Sequence, residues 1–193
     1  MNDTKKILVI LGSPRKKGNS TALAGQIAKG AESAGAEVEM VYLNGLEIKP
    51  CQGCYACKKE NAKGCVVDDD MQSLYPKVAA SDALVIATPV YWFNMTAQTK
   101  IFMDRLYGLF DASFTVNPLY KKKIAIAMSY GDTDPFNSGC VNALRSFQDA
   151  FRYVGAKMAG MVYGSAEEPG EISSNAVLMQ QADDLGRKLG RAG

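Results

Sequence analysis

The chain has 193 residues, of which 47% are apolar, and its 22 basic and 20 acidic side chains leave a net charge of +2. That size suits one well-buried domain and is short for two. The balanced charge does not indicate nucleic-acid binding, no apolar stretch approaches the roughly 20 residues that cross a bilayer, and Met1 to Thr4 do not resemble a signal peptide. We therefore expect one cytoplasmic domain over residues 1–193, without membrane or nucleic-acid partners.

The first predicted strand, Ile7 to Leu11, is a continuous apolar run, which is typical of a parallel strand buried on both faces. A loop of hydroxyl, glycine and basic residues follows and leads into a helical pattern that ends at Gly35. The unpaired N–H groups and partial positive charge at a helix N-terminus favour an anion. The spacing matches neither a P-loop nor G-x-G-x-x-G, so we predict a phosphate site of another kind, with helix capping by Ser, Asn and Thr as the alternative.

Strand and helix patterns then alternate to the end of the chain. The four further predicted strands are Glu37 to Leu43, Ala83 to Ala87, Ile124 to Ser129, and Lys157 to Gly164. Such alternation builds an α/β three-layer sandwich, in which a five-stranded parallel sheet of order 2-1-3-4-5 has helices on both faces. Ligands of such sheets bind outside the carboxyl ends of the strands where the strand order reverses. The loops after strands 1, 3 and 4 are therefore the expected site.

Several charged or reactive residues have structural interpretations. Asp68 to Asp70 precede a helical pattern and are predicted to cap it, because carboxylates are stabilised at a helix N-terminus. The run Lys121 to Lys123 is interpreted as the solvated start of a strand. Asp104 and Arg105 are predicted to form a structural ion pair. Cys140, without a cysteine neighbour, is predicted to be a small core residue.

The other four cysteines lie in an irregular segment at 44–67, as Cys51, Cys54, Cys57 and, after seven residues, Cys65. In a reducing compartment such crowding indicates metal or redox chemistry before disulfides. The C-x2-C-x2-C spacing suits three corners of a [4Fe–4S] cluster, with the fourth ligand after a variable gap. Zinc usually takes two separated C-x2-C pairs and fits less well. Free thiols and a labile disulfide remain alternatives, and a chain without histidine has no imidazole ligand or catalytic triad.

Two loops carry a resemblance to a known family. Gly12-Ser13-Pro14-Arg15 with Gly18-Asn19-Ser20-Thr21, and the stretch from Thr88 to Lys100 (TPVYWFNMTAQTK), resemble the NADPH-dependent FMN reductase branch of the flavodoxin-like proteins. The resemblance covers nearly the whole chain. With the cysteine-rich segment included, the chain looks most like the iron–sulfur flavoprotein subgroup of that branch. The resemblance implies an FMN cofactor, which the residues alone do not specify.

The same resemblance implies which residues contact FMN. The phosphate would be held by Ser13, Arg15, Gly18, Asn19, Ser20 and Thr21. The isoalloxazine ring would lie along Pro89, Val90, Tyr91, Trp92, Phe93 and Asn94. Further ring contacts are expected at Ser129, Tyr130, Gly131 and Asp132. The aromatic residues of the second set are equally suited to subunit packing, and the family suggests a homodimer or homotetramer with the flavin at the interface.

The expected function is electron transfer through FMN, with the chemistry carried by the cofactor and no catalytic side chain. NAD(P)H or ferredoxin is the expected donor, and a quinone, a flavin or a similar small molecule is the expected acceptor. A [4Fe–4S] cluster on the four cysteines would favour ferredoxin, because the cluster carries single electrons; similar reductases, however, have such cysteines without a cluster. A non-enzymatic electron carrier and a redox or metal sensor on a flavodoxin scaffold are the alternatives.

Overall fold

The computed structural model describes residues 4–191; Met1 to Asp3, on which part of the signal-peptide expectation rests, lie outside them. The strands are β1 Lys6–Leu11, β2 Glu37–Tyr42, β3 Ala83–Tyr91, β4 Asn94–Met95, β5 Lys123–Tyr130 and β6 Lys157–Ser165. The helices are α1 Asn19–Ser33, α2 Met71–Ala80, α3 Ala97–Arg105, α4 Cys140–Tyr153 and α5 Ala176–Gly190. Short 3-10 turns occupy Leu43–Gly45, Ala56–Lys58, Leu106–Leu109 and Glu171–Ser174. Across 4–191, none of the helices combines the length and the apolar character that crossing a membrane requires.

Five parallel strands form the sheet, in the order β2-β1-β3-β5-β6. This is the predicted 2-1-3-4-5 order, because the two-residue β4 lies off the path and pairs only with β3, in antiparallel fashion. The difference from prediction lies after Thr88. The sequence predicts a loop there, whereas β3 continues to Tyr91 and turns back through Trp92 and Phe93 into β4.

Helices cover both faces of the sheet, as predicted. α1 and α5 pack on one face, against side chains that include Ile7 and Val9. α2, α3 and α4 pack on the other face, against side chains that include Leu8 and Ile10. Successive residues of β1 therefore enter opposite cores, which explains why this strand is apolar throughout.

α1 and α5 approach each other to backbone contact. A methyl group at Gly30 would lie 2.2 Å from the carbonyl oxygen of Asp183, and one at Gly186 would lie 2.0 Å from that of Ile27. Only glycine permits this approach. The close packing holds α1, whose N-terminus follows the first predicted ligand loop.

Two local predictions have different outcomes. Cys140 is completely buried, as predicted, and burial raises the pKa of its thiol to about 11.

The prediction that the run Lys121 to Lys123 is solvated is wrong at Lys122, which is 7% exposed. Its ammonium group donates to the carbonyl oxygens of Ala79, at 3.3 Å, and Ser81. Lys122 thus caps the carboxyl end of α2, where a cation is stabilised.

Candidate cofactor site

The carboxyl ends of β1, β3 and β5 meet at a pocket of about 170 Å³. Each predicted set of contacts contributes to its lining, through Ser13, Arg15, Gly18 and Asn19, through Pro89, Val90 and Tyr91, and through Ser129, Tyr130 and Gly131. The other predicted residues, Ser20, Thr21, Trp92, Phe93, Asn94 and Asp132, do not line it. The topology therefore brings three sequence-distant loops to one site, which we call the strand-end pocket.

The loop after β1 runs directly into α1. Gly18 is the N-cap residue, and no side chain within residues 4–191 caps the helix, so the capping alternative for the Ser, Asn and Thr residues is not observed. Instead, the Ser13 hydroxyl accepts from the N–H of Arg15 at 3.1 Å, and the Thr21 hydroxyl donates to the Arg15 carbonyl at 3.4 Å. These bonds shape the loop and leave the N–H groups of the first helical turn open to a ligand.

Asn19 positions a wall of the pocket. Its side chain is 8% exposed, its Nδ2 donates to the Glu168 carbonyl at 2.9 Å, and its Oδ1 accepts from the N–H of Ile172 at 3.3 Å. The polar atoms expected to contact phosphate are thus bonded to the segment after β6. That segment also lines the pocket, at Ala166, Glu167 and Pro169.

The pocket wall at 166–169 is not among the site residues predicted from the sequence. The Glu171 carboxylate holds its turn by accepting from the N–H groups of Glu168 and Glu167, and these bonds lower the pKa of Glu171. The sequence signal was Pro169-Gly170, since this dipeptide marks turns. This dipeptide did not indicate a ligand, because tertiary bonds bring the segment to the pocket: the bond to Asn19, and the bond from the N–H of Ala166 to the Tyr130 carbonyl at 2.9 Å.

Thr96 connects the second ligand loop to the first. Its hydroxyl donates to the carbonyl oxygen of Gly12 at 2.7 Å, and its N–H donates to the Thr88 hydroxyl at 3.1 Å. Both threonines are completely buried. A methyl group at Gly12 would lie 1.8 Å from the hydroxyl oxygen of Thr99, so the contact requires glycine. This hydroxyl network, which the sequence analysis also missed, fixes the two loops relative to each other.

The hairpin between β3 and β4 is strained and exposed. Trp92 and Phe93 have φ angles of 46° and 65°, in the left-handed region that a two-residue turn usually fills with Asn or Gly. Such backbone costs about 1–3 kcal/mol per residue. Trp92 is nevertheless 92% exposed and Phe93 54%. The hairpin therefore holds aromatic rings in solvent next to Tyr91, the end of the pocket-lining strand.

The third loop is partly buried. Ser129 and Tyr130 end β5 with only 4% and 8% of their surfaces exposed, and burial raises the pKa of Tyr130. Asp132 is exposed, and its carboxylate accepts from the N–H groups of Thr133, at 2.5 Å, and Asp134, at 3.2 Å. Asp132 thus stabilises its own turn, while the residues before it line the pocket.

A second pocket, of about 150 Å³, is lined by all four cysteines of the 44–67 segment. Cys51 and Cys54 are exposed, Cys57 and Cys65 are half-buried, and all four are free thiols. Among residues 4–191, however, no three Cys, Asp or Glu side chains are grouped as a metal site. The fold therefore brings these thiols to one cavity, here called the cysteine pocket, without arranging them around an ion.

The two ends of the cysteine segment are joined by hydrogen bonds. The N–H of Glu47 donates to the Asp70 carboxylate at 2.7 Å, and the N–H of Lys49 donates to the Asp69 carboxylate at 2.9 Å. Asp69 also accepts from the N–H of Met71, the first residue of α2, at 3.0 Å. The N-cap residue of α2 is Asp70, and its side chain makes no capping bond within residues 4–191, so the capping prediction is supported at Asp69 and not at Asp70. The aspartates therefore have a second role, which is to close the neck of the segment.

The predicted ion pair between Asp104 and Arg105 is wrong. Asp104 pairs with Lys100 at 2.7 Å on the exposed face of α3, whereas Arg105 pairs with Asp69, and both of these side chains are 1% exposed. Adjacent residues on a helix do not face each other. Asp104 therefore faces solvent, whereas Arg105 faces the core. Arg105 also donates to the Lys49 carbonyl at 2.7 Å. The buried cation thus holds both ends of the cysteine segment.

The ion pair shifts both ionisation equilibria. Burial by itself would raise the pKa of Asp69, but hydrogen bonds from Arg105 and from the N–H groups of Lys49 and Met71 lower it overall. Burial would likewise lower the pKa of Arg105, and the bond to Asp69 raises it instead. The pair is therefore charged at neutral pH.

The comparisons with known proteins agree with the loop geometry. The model of the NADPH-dependent FMN reductase family matches residues 5–170. The chain belongs to this family. The iron-sulfur flavoprotein of Methanosarcina thermophila is 32% identical over 191 residues, which cover 95% of this chain and 93% of that protein.

Solved structures support the flavodoxin-like fold. The NAD(P)H:quinone oxidoreductase from Methanothermobacter marburgensis superposes with a TM-score of 0.75 at 21% identity, over 99% of this chain and 98% of that one. Two-electron reduced Megasphaera elsdenii flavodoxin gives 0.61 at 18% identity, over 96% and 99%. This member of the NADPH-dependent FMN reductase family is therefore an oxidoreductase with a flavodoxin-like fold, and the family supports the predicted FMN cofactor.

The N-terminus of α1, which begins beside the strand-end pocket, fits the phosphate end of this cofactor. The hydroxyl of Ser20 is buried and has no hydrogen-bond partner among the described residues. An unsatisfied buried polar group costs roughly 1–3 kcal/mol, so a ligand that bonds it is favoured. The open first turn of α1 and the exposed guanidinium of Arg15 supply further donors for an anion.

The cysteine pocket fits a sulfur-ligated group. All four thiols line one cavity. Burial raises the pKa of the Cys57 thiol; Lys58 opposes this rise, and the neighbouring Cys65 and Cys54 add to it. A methyl group at Gly108 would lie 3.0 Å from Cβ of Cys65, so this glycine leaves room for the cysteine. Four cysteine thiolates are the donor set of a [4Fe–4S] centre, so the residues that line this cavity have the chemistry for one, although they are not grouped around an ion within residues 4–191.

Proposed function

We propose that this protein moves electrons from NAD(P)H or ferredoxin to a small acceptor, such as a quinone or a flavin, through FMN at the strand-end pocket and a [4Fe–4S] cluster on Cys51, Cys54, Cys57 and Cys65. The observation that carries the proposal is the convergence of three strand ends at one pocket, beside an uncapped helix and an unpaired buried hydroxyl. The chain is proposed to act as one FMN-binding domain.

The residues at the start of α1 would bind the phosphate. The Ser20 hydroxyl, the N–H groups of the first turn and the Arg15 guanidinium donate to phosphate oxygens, and the helix dipole adds to the attraction. Gly18 would keep the loop compact, because a methyl group there would lie 3.0 Å from the Ser13 hydroxyl oxygen. Ser13, Asn19 and Thr21 would shape the site around these donors.

The ring system would lie outside the pocket. The strand-end pocket has a volume of about 170 Å³, which is below the roughly 300–1,000 Å³ of sites that enclose a whole ligand. Only the phosphate end of FMN and the adjoining chain therefore fit inside. Pro89 to Asn94 would then lie along one side of the ring and Ser129 to Asp132 along another. Exposed aromatic side chains next to a flat aromatic ligand stack on it and exclude water.

When bound, FMN supplies hydride acceptance and one-electron exchange. The side chains position and shield the ring, and none is required as an acid or base. The bond between Thr96 and Gly12 keeps the ring loop in register with the phosphate loop, so that donor and cofactor meet at a fixed orientation.

The cysteine pocket lies at the other end of α3. Thr96 begins this helix beside the phosphate loop, and Arg105 ends it at the cysteine pocket. At about 1.5 Å per residue the two positions are about 13 Å apart along the axis. One rigid helix therefore separates the two proposed redox centres, which supports a path from single-electron donors to the flavin.

A second copy of the chain is the proposed cover for the aromatic hairpin. Trp92 exposes 92% of its surface at a strained turn, and contiguous exposed aromatic residues commonly mark contact sites. Burial against a homodimer or homotetramer partner would offset that exposure.

The proposed location is the cytoplasm, where reducing conditions keep the four thiols available to iron.

Anaerobic stopped-flow spectroscopy of the FMN-loaded protein tests this function. NADH, NADPH and reduced ferredoxin are compared as donors, with a quinone, free flavin or dioxygen as the acceptor. We expect rapid flavin reduction by at least one donor and reoxidation by an acceptor, and we expect Cys54→Ser to slow reduction by ferredoxin more than reduction by NAD(P)H. Flavin that no donor reduces would contradict the proposal, and equal effects of Cys54→Ser on both donors would remove the cluster from the path.

A further inference from the structure

Among the described residues, one hydrogen-bond donor of the Arg105 side chain, beside the cysteine pocket, has no acceptor. Its Nη1 donates to Asp69 and to the Lys49 carbonyl, and its Nη2 donates to Asp69 at 3.1 Å. Its Nε is buried and has no hydrogen-bond partner among the described residues. The side chain is 1% exposed and lines the same cavity as the four cysteines.

The surroundings of Arg105 favour a sulfur partner for that donor. The Tyr75 hydroxyl donates to the Arg105 carbonyl at 3.0 Å, which ties the end of α3 to α2. A methyl group at Gly108 would touch both the Tyr75 hydroxyl oxygen, at 2.8 Å, and Cβ of Cys65, at 3.0 Å. The Tyr75 hydroxyl therefore links the backbone of Arg105 to the side of the cavity where Cys65 lies. Leaving a charged group's N–H unsatisfied is costly, and thiolate or sulfide is the acceptor that a filled pocket supplies.

We propose that Arg105 is a positioning residue of the cysteine pocket, which joins the two ends of the cysteine segment through Asp69 and Lys49 and directs its Nε–H and its fixed positive charge at the sulfur atoms held there. This inference rests on the proposed cluster. Hydrogen bonds and charge at the sulfur atoms are among the factors that set an iron–sulfur potential, and both stabilise the more negative, reduced state. Arg105 therefore raises the reduction potential as well as the retention of the cluster.

Three variants separate these effects from general stability. Arg105→Lys keeps the charge and can pair with Asp69 but loses Nε–H and the fork geometry. Arg105→Gln loses the charge. Arg145→Gln is the matched control, because Arg145 pairs with Asp149 on the surface of α4, with 68% of its side chain exposed. The proteins are reconstituted anaerobically with iron and sulfide, and we measure iron per chain, the cluster reduction potential by optical redox titration, and the urea midpoint.

The expected result is a cluster potential shifted to more negative values in Arg105→Lys, a larger loss of iron in Arg105→Gln, and wild-type values in Arg145→Gln. Arg105→Lys keeps the test valid where Arg105→Gln does not fold. Wild-type potentials and iron contents in both Arg105 variants would overturn this inference alone. A wild-type chain that takes up no iron would overturn the cluster part of the proposed function and this inference with it, while leaving FMN binding untouched.

Discussion

The hydroxyl of Thr96 donates to the carbonyl oxygen of Gly12 at 2.7 Å, across 84 residues of sequence and with no exposure to solvent. The two residues belong to the two loops that we assign to the ring and the phosphate of FMN. Their bond fixes the two loops relative to each other, and we propose that one cofactor contacts both loops. It also means that damage to this bond should affect cofactor binding without removing any group that touches the cofactor.

Thr96→Val tests that relationship. The change keeps the shape of the side chain but leaves the Gly12 carbonyl without its buried donor, so we expect a loss of about 1–3 kcal/mol in stability. FMN affinity should fall as well, because the loops lose their fixed register. Urea unfolding of the apoprotein and flavin fluorescence titration measure the two effects. Thr115→Val, at an exposed hydroxyl bonded to Ser113, is the control and should change neither quantity. Unaltered FMN affinity in Thr96→Val would show that the loops are held by other contacts.

Arg15→Ala tests the phosphate assignment. One charge-assisted hydrogen bond to phosphate contributes roughly 1.5–3 kcal/mol, so the dissociation constant for FMN should rise about 10- to 150-fold. Lys17→Ala removes an equally exposed cation two residues away that does not line the pocket, and only a small change is expected. Riboflavin, which lacks the phosphate, should bind wild type and Arg15→Ala equally. Equal losses in both variants would indicate general electrostatic attraction and remove Arg15 from the site.

Two substitutions of Trp92 distinguish the effect of backbone strain from the effect of losing the exposed ring. Trp92→Gly removes both the exposed ring and the cost of a left-handed backbone, so the apoprotein should be as stable as wild type or more stable, by up to about 1 kcal/mol. Trp92→Ala removes the ring but keeps the strained backbone, and it should not be stabilised. Both variants should bind FMN more weakly and show less association in light scattering. If both variants kept wild-type flavin affinity and wild-type assembly, Trp92 would contact neither the flavin nor a second copy of the chain.

Asp69→Asn should be among the most destabilising single changes. It leaves the buried guanidinium of Arg105 without its counter-ion, and breaking a buried ion pair from one side costs about 3–5 kcal/mol. Asp149→Asn breaks exposed pairs with Arg145 and Arg152 and should cost much less, because water screens exposed ion pairs. Urea unfolding at pH 7 measures both. Similar costs for the two variants would contradict the role of the Asp69 pair.

The same variant has a defined pH dependence. The pKa of Asp69 is held below its ordinary value of 3.8 in the folded state, so its stabilising contribution is complete above about pH 4. It is lost as the pH falls through the lowered folded pKa, because the unfolded state binds the proton more readily. The difference in unfolding free energy between wild type and Asp69→Asn should therefore be constant from pH 5 to 7 and narrow in acid. A difference that stays constant into strong acid would mean that folding does not shift the pKa of Asp69.

The sequence predicted most of the elements that place the site. Apolar runs such as Ile7 to Leu11 indicate buried parallel strands, and their alternation with helices determines where the strand ends meet. The three loops that line the strand-end pocket could therefore be located without a structure. The family resemblance, and not the pattern, specified FMN.

What the sequence did not predict depends on tertiary contact. Arg105 finds Asp69 and not its neighbour Asp104, Lys122 is buried because α2 ends beside it, and Asn19 holds a pocket wall that lies about 150 residues later. Local patterns carry no information about such partners. The strained turn at Trp92 and Phe93 has the same origin, since aromatic residues are poor candidates for left-handed backbone.

The central claim is that one chain holds FMN together with a four-iron cluster, and the most direct measurement is cofactor content. Protein purified without oxygen and reconstituted with iron and sulfide is analysed by absorbance, with FMN, iron and acid-labile sulfide counted per chain. The account predicts one FMN with about four irons and four sulfides. Flavin bands without iron after reconstitution would leave an FMN-dependent reductase whose cysteines hold no cluster, and a protein that retains neither cofactor would contradict the account as a whole.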